Sequence, residues 1–247
     1  MKNWKWYLTI VLVLILSSAL FYLIQIIIFH KTGDTFFYML QDISFVPIQV
    51  LFVTFVLDRL MKKREKDSFL NKLNMIIGVF YNDIGVDFIK LCNNFIQDIA
   101  ETGRHLTISA KWSDKEFNNA INIISISPKQ FNLSHITITQ VNTLLIQKKD
   151  NLLSMLENPN LLEHESFTDL LWAMFHLSDE LSHRKIFYNL PQADIDHLKV
   201  DIHRAYMHVI KEWISYLKHL KKDYPYLFSV AERTNPFNPE ADIIIRG

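Results

Sequence analysis

His176, Glu180 and His183 stand at i, i+4 and i+7, which on a helix places two imidazoles and a carboxylate on one face. Groups of these types are ligands for divalent transition metals. Glu180-Leu-Ser-His183 is also an ExxH unit, the element that di-metal helix bundles use in pairs together with two further carboxylates. The nearest second unit is Asp194-Ile-Asp-His197, with Asp in place of Glu, and Glu163, His164 and Glu165 lie just upstream. The ligand set is incomplete. The expectation is therefore no resident cofactor, with a divalent metal at His176, Glu180 and His183 as the alternative. The competing reading is a polar helix face with hydrogen-bonded histidines.

A second group of polar residues sits among apolar ones near the N-terminus. Trp6 to Phe29 is a run of 24 residues without a charge, and Phe36 to Leu57 is a second run that contains Asp42, Pro47 and Gln49. The first is too long for the h-region of a signal peptide, and a second run follows it directly. At about 1.5 Å per residue, each run can cross a hydrocarbon core about 30 Å thick. The link between them is only six residues, 30–35, so the two helices are antiparallel neighbours. Folding the runs about a centre between Gly33 and Asp34 sets Gln25 level with Asp42 and Ser18 level with Gln49. Polar groups in lipid need partners, and facing one another supplies them. Asp42 is the most informative of the four. An ionisable group in a bilayer is costly and points to an ion pathway, unless a neighbour such as Gln25 satisfies it.

Lysine and arginine set the orientation. The link carries Lys31. Lys2 and Lys5 precede the first run, and Arg59, Lys62, Lys63, Arg64 and Lys66 follow the second. Both termini are thus expected in the cytoplasm of a prokaryotic inner or plasma membrane. The basic cluster is expected to lie at anionic lipid headgroups, at about 1 kcal/mol per residue.

The elements that position these residues are helical throughout. Five glycines and seven prolines are too few for the turns of a β protein. The expected fold is all-α: a transmembrane hairpin over 1–58, a basic stalk helix over 59–74, a cytoplasmic helical bundle over 75–233 and an extended tail over 234–247. Gly78 and Gly85 are expected bends, and residues 100–112 read as a loop. Ser113 to Glu116 is a capping pattern that opens a helix over about 114–125, ended by Pro128. Further helices are expected over 134–157, from Ser166 or Thr168 to Tyr188, and over 192–222, with a short one reaching Ala231. The 192–222 helix has the clearest apolar stripe, from Ile195 through Leu198, Ile202, Tyr206, Val209 and Trp213 to Leu220. Ile243 to Ile245 in the tail are expected to dock on a partner surface.

Net charge is zero, and the 192–222 helix mixes Arg204 and five lysines with four acids, so no nucleic acid is expected as a partner. One cysteine, Cys92, excludes a disulfide framework. No glycine-rich phosphate loop, GxSxG or HExxH occurs. The segments Asp42 to Val50, Phe55 to Leu60, Tyr224 to Ser229 and Asn235 to Phe237 resemble uncharacterised prokaryotic two-helix membrane proteins with a cytoplasmic helical domain. That resemblance implies no activity. The expected function is a membrane-anchored helical module for partner binding or homo-oligomeric self-assembly. An oligomeric channel or transporter using the polar hairpin face, and a metal-dependent enzyme on the bundle, are the alternatives.

Overall fold

The computed structural model describes residues 4–30, 32–97, 99–126 and 131–244. Lys2, Lys31, Pro128 and Ile245 lie outside them. The described residues are helical apart from turns and one isolated antiparallel bridge between Ile96 and Phe131. They fall into two compact units, Met1–Ser68 and Phe69–Gly247.

In the first unit α1 spans Trp4–Phe29, and α2 begins at Thr32 and continues to Phe80. His30 ends α1. Its φ of 54° is left-handed, and its N–H donates to the Ile26 carbonyl at 3.0 Å, the usual closure of a helix C-terminus. Pro47 lies inside α2, which continues through it. The helix surfaces are unusual for a protein in water. Leu16 (60%), Phe21 (68%), Leu51 (72%) and Phe52 (68%) are typical of the exposure of their large apolar side chains. Residues less than fully exposed gather near the turn: Tyr22, Gln25 and Ile26 on α1, and Thr35 and Met39 on α2. The helical stretch Gly33–Asn93 contains one segment long and apolar enough to cross a membrane, and none of that segment is buried. The described apolar part of α1, Leu12–Ile28, is shorter than that length.

From Leu70 onward α2 becomes amphipathic. Leu73, Ile77 and Phe80 are buried, while Met75 and Val79 stay exposed. The helix passes straight through Gly78, where a Cβ would come within 2.6 Å of the Tyr216 hydroxyl. A π-turn, Tyr81–Gly85, replaces the expected bend at Gly85 and leads into α3, Val86–Asn93. It buries the adjacent rings of Phe80 and Tyr81, packed edge to face at 5.1 Å.

Residues 100–112 are not all loop: α4 occupies Ile99–Leu106. Gly103 disguises it. In a helix glycine costs about 1 kcal/mol relative to alanine, but here it admits the backbone of the C-terminal segment, since a Cβ would lie 2.8 Å from the Phe237 carbonyl oxygen. α5, Asp114–Ile126, opens as its capping pattern indicates, with the Glu116 carboxylate accepting from the Ser113 hydroxyl at 2.8 Å. The expected 134–157 helix is two, α6 (His135–Gln147) and α7 (Lys149–Leu156). The break at Lys148 lets its ammonium reach Asp83 at 2.5 Å. α8 is a single turn, Pro159–Leu162. α9, Glu165–Ser182, starts from a His164 ring nitrogen that accepts the Phe167 N–H at 3.2 Å.

α10, Gln192–Asp223, is the axis of the second unit, followed by α11, Pro225–Arg233. Leu198, Ile202, Ala205, Tyr206, Val209, Trp213, Leu217 and Leu220 are buried along it, at three- and four-residue spacing. It packs against α9, α5, α11 and α3. Each fully buried large side chain of the stripe contributes roughly 1.5–3 kcal/mol to the stability of the unit.

Candidate functional site

The seam between α9 and α10 gathers a cluster of ionisable side chains in the second unit. His176 and Glu180 face it from α9, and His197, Asp201 and Arg204 from α10. Asp201 is the centre. Its side chain is 1% exposed, whereas those of His176, His197 and Arg204 are 47%, 51% and 49% exposed. Asp201 Oδ2 lies 3.5 Å from His176 Nε2 and 3.3 Å from His197 Nε2, and Oδ1 lies 3.0 Å from Arg204 Nη1. Despite these short distances neither carboxylate oxygen has a hydrogen bond of regular geometry. Asp201 therefore differs from the solvated helix face that mixed charges on α10 predict: it is a buried carboxylate ion-paired with Arg204, with His176 and His197 beside its other oxygen.

Arg184 closes one end of the seam. Its guanidinium donates to Asp194 Oδ1 at 2.7 Å and Oδ2 at 3.1 Å, and to Glu180 Oε2 at 2.9 Å. The Arg184 hydrogen bonds hold both the Glu180 and the Asp194 carboxyls below their ordinary ranges. α9 stops at Ser182 rather than running to Tyr188, and Arg184, just past its end, contacts both helices. His208 lies further along α10, and burial lowers its imidazole from the usual range.

Of the three residues read as metal ligands, His176 and Glu180 share the seam and His183 does not join them. His183 is 76% exposed, and its Nδ1 sits 2.8 Å from the Asp179 carbonyl oxygen at the end of α9. Spacing along one helix placed His183 on the same face, but α9 ends before that residue. His197 takes its place from across the seam, with Nε2 3.9 Å from Glu180 Oε2. Among the described residues no group of three His, Cys, Asp or Glu side chains is placed to hold a metal ion. Asp201 and Arg204 had no local signal beyond the i, i+4 spacing of His197 and Asp201.

In the first unit Asp42 has a partner other than the expected one. Tyr22 donates its hydroxyl to Asp42 Oδ2 at 3.2 Å. Gln25 instead lines a shallow concavity of about 420 Å³ on α1, together with Ser17, Ser18 and Tyr22. Gln49 is exposed on α2. Arg59, Lys62, Lys63, Arg64 and Lys66 are all exposed, and Lys62 pairs with Asp58 at 2.8 Å.

Two family models match the chain. One, described as the C-terminal helical domain of uncharacterized protein MJ1433, covers residues 69–233, and the other, its N-terminal helical domain, covers residues 1–61. The uncharacterized protein MJ1433 of Methanocaldococcus jannaschii is 40% identical over 244 residues, which are 99% of this chain and 98% of that one. No solved structure matches. The chain thus belongs to the family of MJ1433 and carries both of its helical domains.

Proposed function

We propose that α1 and the apolar first part of α2 form a two-helix membrane anchor, with both termini in the cytoplasm, that carries the 69–247 unit as a module for partner binding or self-assembly. One observation supports this above the rest: the large apolar side chains described from Leu12 to Ile28 on α1 and up to Met61 on α2 are exposed, apart from Tyr22, Ile26 and Met39 near the turn. At about 25 cal/mol per Å² such a surface is too costly to leave in water, and lipid removes the cost without a protein partner. The basic residues from Arg59 to Lys66 would then meet the headgroups of the cytoplasmic leaflet. The Tyr22–Asp42 hydrogen bond would satisfy the one carboxylate inside the two apolar runs, where lipid could not.

Membranes from expressing cells, washed at alkaline pH, test the anchor. The full chain is expected to stay with the lipid, and its release into the wash would refute the proposal. Native mass measurement in detergent tests the module: a multimer or a partner complex is expected, and a partner-free monomer would count against it. A second reading draws on the exposure of Gln41 and Gln49 on α2. Neighbouring copies could line an ion pathway with these amides, and ion flux in liposomes, lost in Asp42→Asn, would favour that reading.

A further inference from the structure

We infer that the cavity between the π-turn Tyr81–Gly85, α10 and α11 binds a small, neutral aromatic molecule that carries one hydrogen-bonding group. The cavity has a volume of about 210 Å³. The buried part of its lining is Tyr81, Trp213, Leu217 and Leu220, and the exposed part is Asn82, Leu227 and Val230. None of the described residues that line it is charged, so a charged ligand would give up its hydration and gain no partner there. An apolar cavity of about 150 Å³ takes up benzene, and by proportion this one holds about eight non-hydrogen atoms, a single ring with a short substituent.

The backbone departs from its most stable form to build the aromatic wall. Tyr81 and Tyr216 stack with ring centroids 5.4 Å apart and planes 16° apart, and both line the cavity. Each ring occupies space that a glycine leaves. A Cβ at Gly78 would stand 2.6 Å from the Tyr216 hydroxyl, and one at Gly85 would stand 2.5 Å from the Tyr81 ring. Glycine weakens a helix interior, a π-turn interrupts the regular ladder and recurs at functional sites, and an unfilled cavity forgoes packing. Local rules broken together at one wall mark a site kept for a ligand rather than for the fold. The polar groups fit a ligand with one hydrogen-bonding group. The Tyr81 hydroxyl donates to the Val209 carbonyl oxygen at 2.9 Å and the Thr234 hydroxyl to the Val230 carbonyl oxygen at 3.0 Å, so both are engaged. The Asn82 amide has no hydrogen-bond partner among the described residues, and it stands at the exposed edge, ready for the ligand's polar substituent.

The test uses the full chain in detergent with p-cresol as the probe, read by saturation-transfer NMR and by the melting temperature. Detergent takes up the probe equally for every variant, so variants are compared at one detergent concentration. Wild type is expected to show saturation transfer and a melting temperature that rises with p-cresol. Ala231→Leu places a larger side chain on the cavity wall, and is expected to fold as wild type does and to lose both signals. Circular dichroism checks folding, and should that variant unfold, Val86→Phe fills the cavity from α3 and carries the same comparison. Asn82→Ala is expected to weaken p-cresol about 2–10-fold, the worth of one neutral hydrogen bond, and to leave toluene unchanged. Equal p-cresol signals in wild type and a folded, filled variant, or no signal in wild type, would overturn the inference.

Discussion

Asp201→Asn separates a carboxylate kept for stability from one kept for another purpose. The substitution removes the charge and keeps the volume. On the stabilising side of the carboxylate stands Arg204 at 3.0 Å, but that side chain is 49% exposed, so the pair is worth the roughly 0–1 kcal/mol of a surface pair. On the other side stands desolvation. A carboxylate that is 1% exposed gives up hydration worth several kcal/mol and recovers no hydrogen bond in exchange. The amide that replaces it has a smaller penalty, about 1–3 kcal/mol if unbonded. None of the partners is left buried, since His176, His197 and Arg204 are each about half exposed. The balance favours the variant: Asp201→Asn should leave the protein unchanged or stabilise it by about 1 kcal/mol, a rise of about 2–4 °C in melting temperature for a unit of this size. Thermal melts measure it. A loss of 2 kcal/mol or more would show the carboxylate to be a structural clamp and refute the reasoning.

Other consequences follow from single contacts. Arg184→Gln should cost about 1–2 kcal/mol at neutral pH, as the loss of a charge-assisted network does, read from denaturant melts. Because Arg184 lowers Glu180 and Asp194 from ordinary values of 4.5 and 3.8, their contribution is present above those values and is lost as pH falls below them. The variant should therefore lose less stability than wild type between about pH 5 and pH 3, and parallel acid profiles would contradict this. Gly103→Ala should destabilise by about 1–2 kcal/mol despite alanine's better helix propensity, because the Phe237 carbonyl oxygen blocks the new methyl at 2.8 Å. An unchanged or raised melting temperature would contradict that. Tyr206→Phe removes the hydroxyl that donates to Asn93 Oδ1 at 2.5 Å in the core, and should cost about 1–2 kcal/mol by the same measurement.

Periodicity along one helix was legible from the sequence wherever burial is decided within that helix. The α10 stripe from Leu198 to Leu220 is the clearest case, because its 32 residues repeat one pattern without interruption by glycine or proline. α4 was missed because Gly103 answers to a distant backbone, that of Phe237. The histidine site was half legible. His176 and Glu180 follow from i, i+4 spacing, whereas Asp201 comes from a second helix whose docking no local pattern states. The hairpin register shows the same limit. α1 ends at Phe29 and α2 begins at Thr32, so the turn centres between residues 30 and 31, three residues before the assumed centre between Gly33 and Asp34. Three residues are nearly one helical turn. Asp42 is accordingly bonded to Tyr22, about one turn along α1 from the Gln25 that the assumed centre sets level with it. The left-handed residue that makes the turn is His30, where the sequence draws attention to Gly33.

The central claim is the topology of the anchor, and cysteine accessibility tests it most directly. Cys92 is fully buried, so the native chain provides a silent background. Gly33 has no neighbouring atom within 4 Å of an added Cβ, and Ser68 is exposed, so a cysteine at either position is accommodated without strain. With a membrane-impermeant maleimide on intact cells, Gly33→Cys should be labelled at once and Ser68→Cys only after the membrane is opened. Labelling of Ser68→Cys in intact cells would contradict the two-span anchor with cytoplasmic termini.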